Sequence, residues 1–181
     1  MQQDSLSFVK QLTWDEVFAL WRAGEAALPR WIDHYKSGGF ASWDEWRRNT
    51  LRDVQYATLS WKLFGLENPT DTVLHFFGGP FRAWIKNYYQ GSRARTFEEL
   101  ANDPKIQNNE IVKEMVADSP AVANLVGLQV GKKVFIIEGM HRCCALAVMG
   151  MQKMELRSKV LIALAPYSGG IPEMGRPGSP T

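Results

Sequence analysis

Cysteine is nearly absent: the 181-residue chain has two, side by side at Cys143 and Cys144. Neighbouring cysteines cannot bridge each other without straining the backbone. A disulfide-stapled secreted scaffold is therefore not expected, and a reducing, cytoplasmic setting is. Histidine is also scarce, with His34, His75 and His141 scattered along the chain. Two thiols and three separated imidazoles do not make a zinc pattern. No uninterrupted apolar run approaches the ~20 residues that span a bilayer, so no membrane span is expected. The first residues, Met1 to Phe8, lack the basic-then-apolar order of a secretion signal. Excess charge of one sign is lacking too. The formal net charge is +2, too small to imply a nucleic-acid partner by itself.

What the chain does have is apolar and aromatic content: 45% hydrophobic residues against 22% charged. That is ordinary for a globular protein, and the length suits one domain with a sizeable extension. Of the seven tryptophans, all but Trp84 precede residue 62. Tryptophan at helical spacing is expected to fill a core, with a protein-partner surface as the alternative. Thr13-Trp14-Asp15-Glu16, Ser42-Trp43-Asp44-Glu45 and Thr96-Phe97-Glu98-Glu99 each have the form of a capping box. Apolar residues recur at helical spacing after the first two, and Trp61 to Leu66 is read as the close of this helical part.

Thr72 to Phe77 is expected to be a short strand, and Pro80 to open a helix bearing Phe81, Trp84, Ile85 and Tyr88 on one face. Helices are expected after Thr96, over Glu110 to Ala117, and over Ala121 to Leu125 behind Asp118-Ser119-Pro120. Val126 to Val130 and Val134 to Ile137 flank Gly131-Lys132-Lys133 as a hairpin. From Tyr167 onward the Gly-, Pro- and Ser-rich sequence predicts a flexible tail.

The most informative stretch follows that hairpin. The apolar run Val134–Ile137 ends in Glu138 and Gly139, and a helix is expected from Met140 to Met149, stopping at Gly150. Gly139 then occupies a strand-to-helix turn, with His141 and Arg142 in the first helical turn. The first amides of a helix have no internal partners and carry the positive end of the dipole. Glycine permits close approach of a ligand, and two hydrogen-bonding side chains in the same turn complete an anion site, best suited to phosphate. An arginine at a helix N-terminus opposes the dipole, which favours an anionic ligand over a purely structural role.

Gly139-x-His141-Arg142-x-x-Ala145, after an apolar strand and an acid, resembles the phosphate-binding signature of the ParB/sulfiredoxin superfamily. The resemblance covers roughly Val126 to Leu164 and not the first hundred residues. The residues themselves read as a Trp-rich helical extension over 1–68 and a tail over 167–181; for 69–166 the resemblance implies an α+β fold, a small mixed sheet with packed helices. It also implies a nucleotide, ATP or another nucleoside triphosphate, bound with Mg²⁺ by a phosphotransferase or nucleotide hydrolase. Gly139, Met140, His141, Arg142 and Lys133 would hold the nucleotide, with Glu138 and His141 catalytic and Glu138 on the metal. The alternative is a regulatory or protein-binding member without catalysis.

Departures from the pattern narrow these options. Sulfiredoxins carry their catalytic cysteine where this chain has Met140, which argues against that activity. The chain shows no helix-turn-helix after the motif, which argues against DNA partitioning.

The other charged candidates have plainer readings. Glu138 could equally bond the helix amides. Lys132 and Lys133, and Arg93 and Arg95, have a solvated reading beside the ligand-binding one. Asp103 and Glu110 are base candidates by chain proximity alone, and both cysteines read as small buried hydrophobes.

Overall fold

The computed structural model describes residues 5–118 and 120–175. Its centre is a mixed six-stranded sheet in the order β1-β2-β6-β4-β5-β3. The strands are β1 (Leu6–Leu12), β2 (Trp61–Leu66), β3 (Phe77–Gly78), β4 (Val122–Val130), β5 (Lys133–Glu138) and β6 (Lys159–Pro166). The helices are α1 (Trp14–Glu25), α2 (Pro29–Ser37), α3 (Trp43–Leu51), α4 (Pro69–Thr72), α5 (Arg82–Tyr88), α6 (Phe97–Ala101), α7 (Pro104–Gln107), α8 (Glu110–Ala117) and α9 (Met140–Met151). The α+β class is as expected.

Successive strand residues point to opposite faces, and the sheet divides two cores accordingly. Ile136 and Ile162 pack with α9 through Cys143, Cys144 and Ala147. Their neighbours Ile137 and Ala163 pack on the other face with Trp21, Trp43 and Trp46. The Trp-rich helices and the motif helix thus lie on opposite sides of one sheet. Trp21, Trp43, Trp46 and Trp61 are buried, so the segment spends most of its tryptophan on the core.

Several local expectations are corrected. The segment 1–68 is not wholly helical, because Trp61–Leu66 is β2, held between β1 and β6. Its burial alternates at first, with Trp61 and Leu63 inward and Lys62 exposed, a strand period rather than a helical one. Thr72–Phe77 is the end of α4 and a 3₁₀ turn over Val73–His75; only Phe77 and Gly78 pair as strand. Ala121–Leu125 is not helix. Val122–Leu125 pair in parallel with Lys159–Ile162, and that ladder overrides the local Pro120 start signal. The described part of the tail is ordered against the core, with Ile171 and Met174 buried and Met174 bridged to Phe81. Residues 176–181 of the expected flexible tail lie outside the described residues.

The hairpin matches expectation. The motif helix starts at Met140 as expected, but it runs through Gly150 to Met151. Gly150 is not a stop but a close approach, where a Cβ would come within 2.8 Å of the Thr70 carbonyl oxygen. β4 and β5 pair antiparallel, and Gly131 takes a positive φ of 59° at the turn. Two of the three capping boxes are complete, at Thr13/Glu16 and Thr96/Glu99. At Ser42 the hydroxyl accepts from Glu45 N–H, but the Glu45 carboxylate accepts from Ala41 N–H instead of the cap.

Candidate functional site

β5 ends at Glu138, and α9 starts two residues later. Gly139 makes that change of direction at φ 93°, in the left-handed region that a side chain seldom adopts. A Cβ there would come within 2.5 Å of Cδ2 of the fully buried Leu125, so glycine is required twice over. The turn opens into a cavity of about 460 Å³, inside the range of small-molecule sites. Glu138, Gly139, Met140, His141 and Arg142 all line it.

The opposite wall comes from the Trp-rich helices. Trp31, His34 and Trp46 form a ring cluster, with centroids 4.8 to 5.8 Å apart. On the motif side, His141 meets Trp84 edge-to-face at 5.0 Å. Aromatic rings on two walls suit a flat heterocycle. Arg30 and Lys86 are exposed cations at the lining.

Two ion pairs stand in the cavity wall. The Arg47 guanidinium donates from Nε (2.8 Å) and Nη2 (2.7 Å) to Glu25, which also accepts from Trp43 Nε1 at 3.0 Å. Arg47 stacks over Trp46 at 3.8 Å and lies near Trp21 and Trp31. The second pair joins Arg142 Nη2 to Glu138 across the turn. The Arg142 guanidinium lies beside α1: a Cβ at Gly24 would make an ordinary contact with its Nη1 at 3.6 Å.

These placements set the electrostatics. Burial pushes the Glu138 carboxyl up to about 7; Arg142 opposes the shift without cancelling it. Burial, with Arg30 and Arg142 nearby, drives His141 down to about 4, so its imidazole is neutral at pH 7. Burial works against the Arg142 charge, but Glu138 more than offsets this and raises its pKa. Cys143 and Cys144 are fully buried, and desolvation holds both thiols well above the thiolate range, in keeping with an apolar packing role.

The structure brings Gly139, Met140, His141, Arg142 and Glu138 together but leaves Lys133 out. Lys133 begins the strand that Glu138 ends, so about 17 Å of β5 separates them at ~3.3 Å per residue. Its ammonium rests over the Phe77 ring at 5.0 Å. Arg95 and Asp103 pair with each other at 3.2 Å, Asp103 also caps α7, and Arg93 donates to the Ile171 carbonyl. Glu110 pairs with Lys113. None of these four is a member of the cavity wall.

Magnesium fits these residues poorly. Its one expected ligand, Glu138, is engaged by Arg142, and no group of three or more His, Cys, Asp or Glu among the described residues could hold a metal. Mg²⁺ prefers several oxygen ligands in octahedral array.

Sequence reasoning missed Glu25, Arg30, His34 and Arg47. Only the i,i+4 spacing of Glu138 and Arg142 offered a signal for that pairing. No family model, curated protein or solved structure matches the chain. No helix among the described residues is long and apolar enough to cross a membrane.

Proposed function

We propose that this protein binds a nucleotide, with phosphate at the Gly139–Arg142 turn and the base among the facing aromatic rings, as a ParB/sulfiredoxin-like fold would. One observation carries the reading. The N-terminus of α9 opens into a cavity that combines rings on two walls with Arg142, Arg30 and Lys86. Helix amides, guanidinium groups and stacking surfaces are the elements that recognise a phosphorylated heterocycle.

The catalytic form of this reading is an ATP- or CTP-dependent phosphotransferase or nucleotide hydrolase. It needs Glu138 free to act as a base or to hold metal. Glu138 is instead buried and engaged by Arg142. That engagement favours the regulatory form, which binds nucleotide without turning it over.

The test is calorimetry and thermal unfolding with ATP, ADP, CTP and GTP, with and without Mg²⁺. Ligand at 100 times its Kd adds ~2.7 kcal/mol, or about 5–10 °C in Tm for a chain of this size. Arg30→Ala removes an exposed cation without disturbing the core, and weakens binding several-fold. The reading fails if no nucleotide shifts the transition. Phosphate release or transfer that Glu138→Gln abolishes restores the catalytic form.

A further inference from the structure

The cavity wall carries more positive charge than the chain as a whole. Among the described residues it holds five cations, Arg30, Arg47, Arg82, Lys86 and Arg142, against two carboxylates, Glu25 and Glu138. The excess is three, whereas the net charge of the full chain is +2. The histidines in the wall add little to it at neutral pH, because burial above all lowers both His34 and His141 below the ordinary value.

Two of the cations are spent inside the wall, Arg47 on Glu25 and Arg142 on Glu138. Arg82 is half-exposed and lies 3.7 Å from the Glu173 carboxylate. Arg30 and Lys86 are exposed, and neither has a carboxylate partner among the described residues. The Arg30 charge is felt at the first turn of α9, where it adds to burial in lowering His141. Lys86 belongs to α5, the helix whose Trp84 meets the same imidazole at 5.0 Å. A cavity of about 460 Å³ is roughly 10 Å across, about one Debye length at 0.1 M salt, so these charges act on a ligand anywhere inside it.

The same wall keeps no free oxygen anion for a divalent cation. Mg²⁺ in a phosphate site takes one or two protein carboxylates together with phosphate oxygens. Glu25 already accepts from Arg47 and Trp43, Glu138 is engaged by Arg142, and no other carboxylate of the described residues lines the cavity. A metal on the phosphates would cancel about two charges of the ligand and stand among uncompensated cations.

We infer that the cavity takes its polyphosphate as the metal-free anion, with Arg30 and Lys86, helped by Arg82, in the charge-neutralising role that Mg²⁺ plays in kinase and ATPase sites. This rests on the cavity being the nucleotide site, and it names the ionic form of the ligand. Mg²⁺ in solution then competes with the protein, by withdrawing uncomplexed nucleotide.

The test is isothermal calorimetry on the full chain with ATP, ADP, CTP and GTP, each in EDTA and in excess Mg²⁺, and with inorganic tripolyphosphate in EDTA. Wild type is expected to bind a triphosphate at least tenfold more tightly in EDTA than in Mg²⁺. The double variant Arg30→Gln, Lys86→Gln changes two exposed side chains, so Tm without ligand should not move. It should lose at least tenfold in EDTA and little in Mg²⁺, so that the preference for the metal-free form narrows; damage to the fold would weaken both alike. Binding that is equal or tighter with Mg²⁺, or a double variant that keeps the wild-type preference, overturns the inference and leaves the nucleotide reading standing. If no nucleotide binds in either buffer, that reading falls. Tripolyphosphate binding in EDTA that the double variant loses then keeps the metal-free anion site, and no tripolyphosphate binding overturns it.

Discussion

Glu138 and His141 stand three residues apart at the same turn, and burial moves their titrations in opposite directions. Glu138 rises from its ordinary 4.5 to about 7 in the folded chain. The folded state then holds a proton that the unfolded state has lost, so this group favours folding at low pH and the benefit disappears as pH rises from 4.5 to 7. His141 falls from 6.5 to about 4. Here the unfolded state takes the proton first, so stability is lost as pH falls from 6.5 to 4. At about 1.4 kcal/mol per pH unit, each group accounts for roughly 3 kcal/mol over its window.

In the wild type the two contributions oppose each other between pH 4.5 and 6.5 and largely cancel. Single variants separate them. Glu138→Gln leaves His141 alone, and unfolding free energy should fall by about 3 kcal/mol from pH 7 to 4 relative to wild type. His141→Phe keeps an aromatic ring against Trp84 and leaves Glu138 alone, so stability should rise by a similar amount from pH 7 to 4.5. Urea unfolding followed by far-UV circular dichroism at pH 4, 5, 6, 7 and 8 reads both slopes. The capping carboxylates Glu16 and Glu99, whose pKa values are lowered mainly by backbone hydrogen bonds, are common to every variant and drop out of the comparison. Glu138→Gln also weakens the hold on Arg142, which lowers the whole curve but not its slope. Profiles parallel to wild type in both variants would show that neither group is desolvated as described.

Three further outcomes follow from the geometry. Arg47→Ala strands the buried Glu25 carboxylate and should cost about 3–5 kcal/mol in urea unfolding; a loss under 1 kcal/mol would mean the pair is solvated. Gly139→Ala combines a positive φ with a clash against Leu125, so it should cost more than the ~1 kcal/mol of a strained turn alone, read as a fall in Tm. Lys133→Ala should leave nucleotide affinity within twofold of wild type by calorimetry, because the length of β5 separates it from the cavity; a tenfold loss would contradict that placement.

The parts of this molecule legible in the sequence are those fixed by residues close together in the chain. The strand, the glycine and the start of the helix at Met140 fall in that class, though the helix end at Met151 does not, as do the hairpin turn at Gly131 and the hydroxyl-to-N3 half of each capping box. What escaped depends on partners far away. Leu6–Leu12 has an exposed interior with no alternation of burial, and it is a strand only because β2 pairs with it. Trp61–Leu66 follows a tryptophan-rich helical stretch, and its aromatic content reads equally well as helix until β6 is known to lie beside it.

The site divides along the same line. The turn that presents Glu138, Gly139, His141 and Arg142 is local and could be named. The wall facing it is assembled across the sheet from α1, α2 and α3, and no spacing in the chain announces that Glu25, Arg47 and Trp21 meet it. This division has a chemical consequence. A motif alone predicts free side chains waiting for a ligand, whereas the assembled cavity already engages both of its carboxylates. What the wall offers an anionic ligand is the exposed cations Arg30 and Lys86 beside the start of α9. On the nucleotide reading proposed above, the engagement of both carboxylates favours binding over catalysis at this turn.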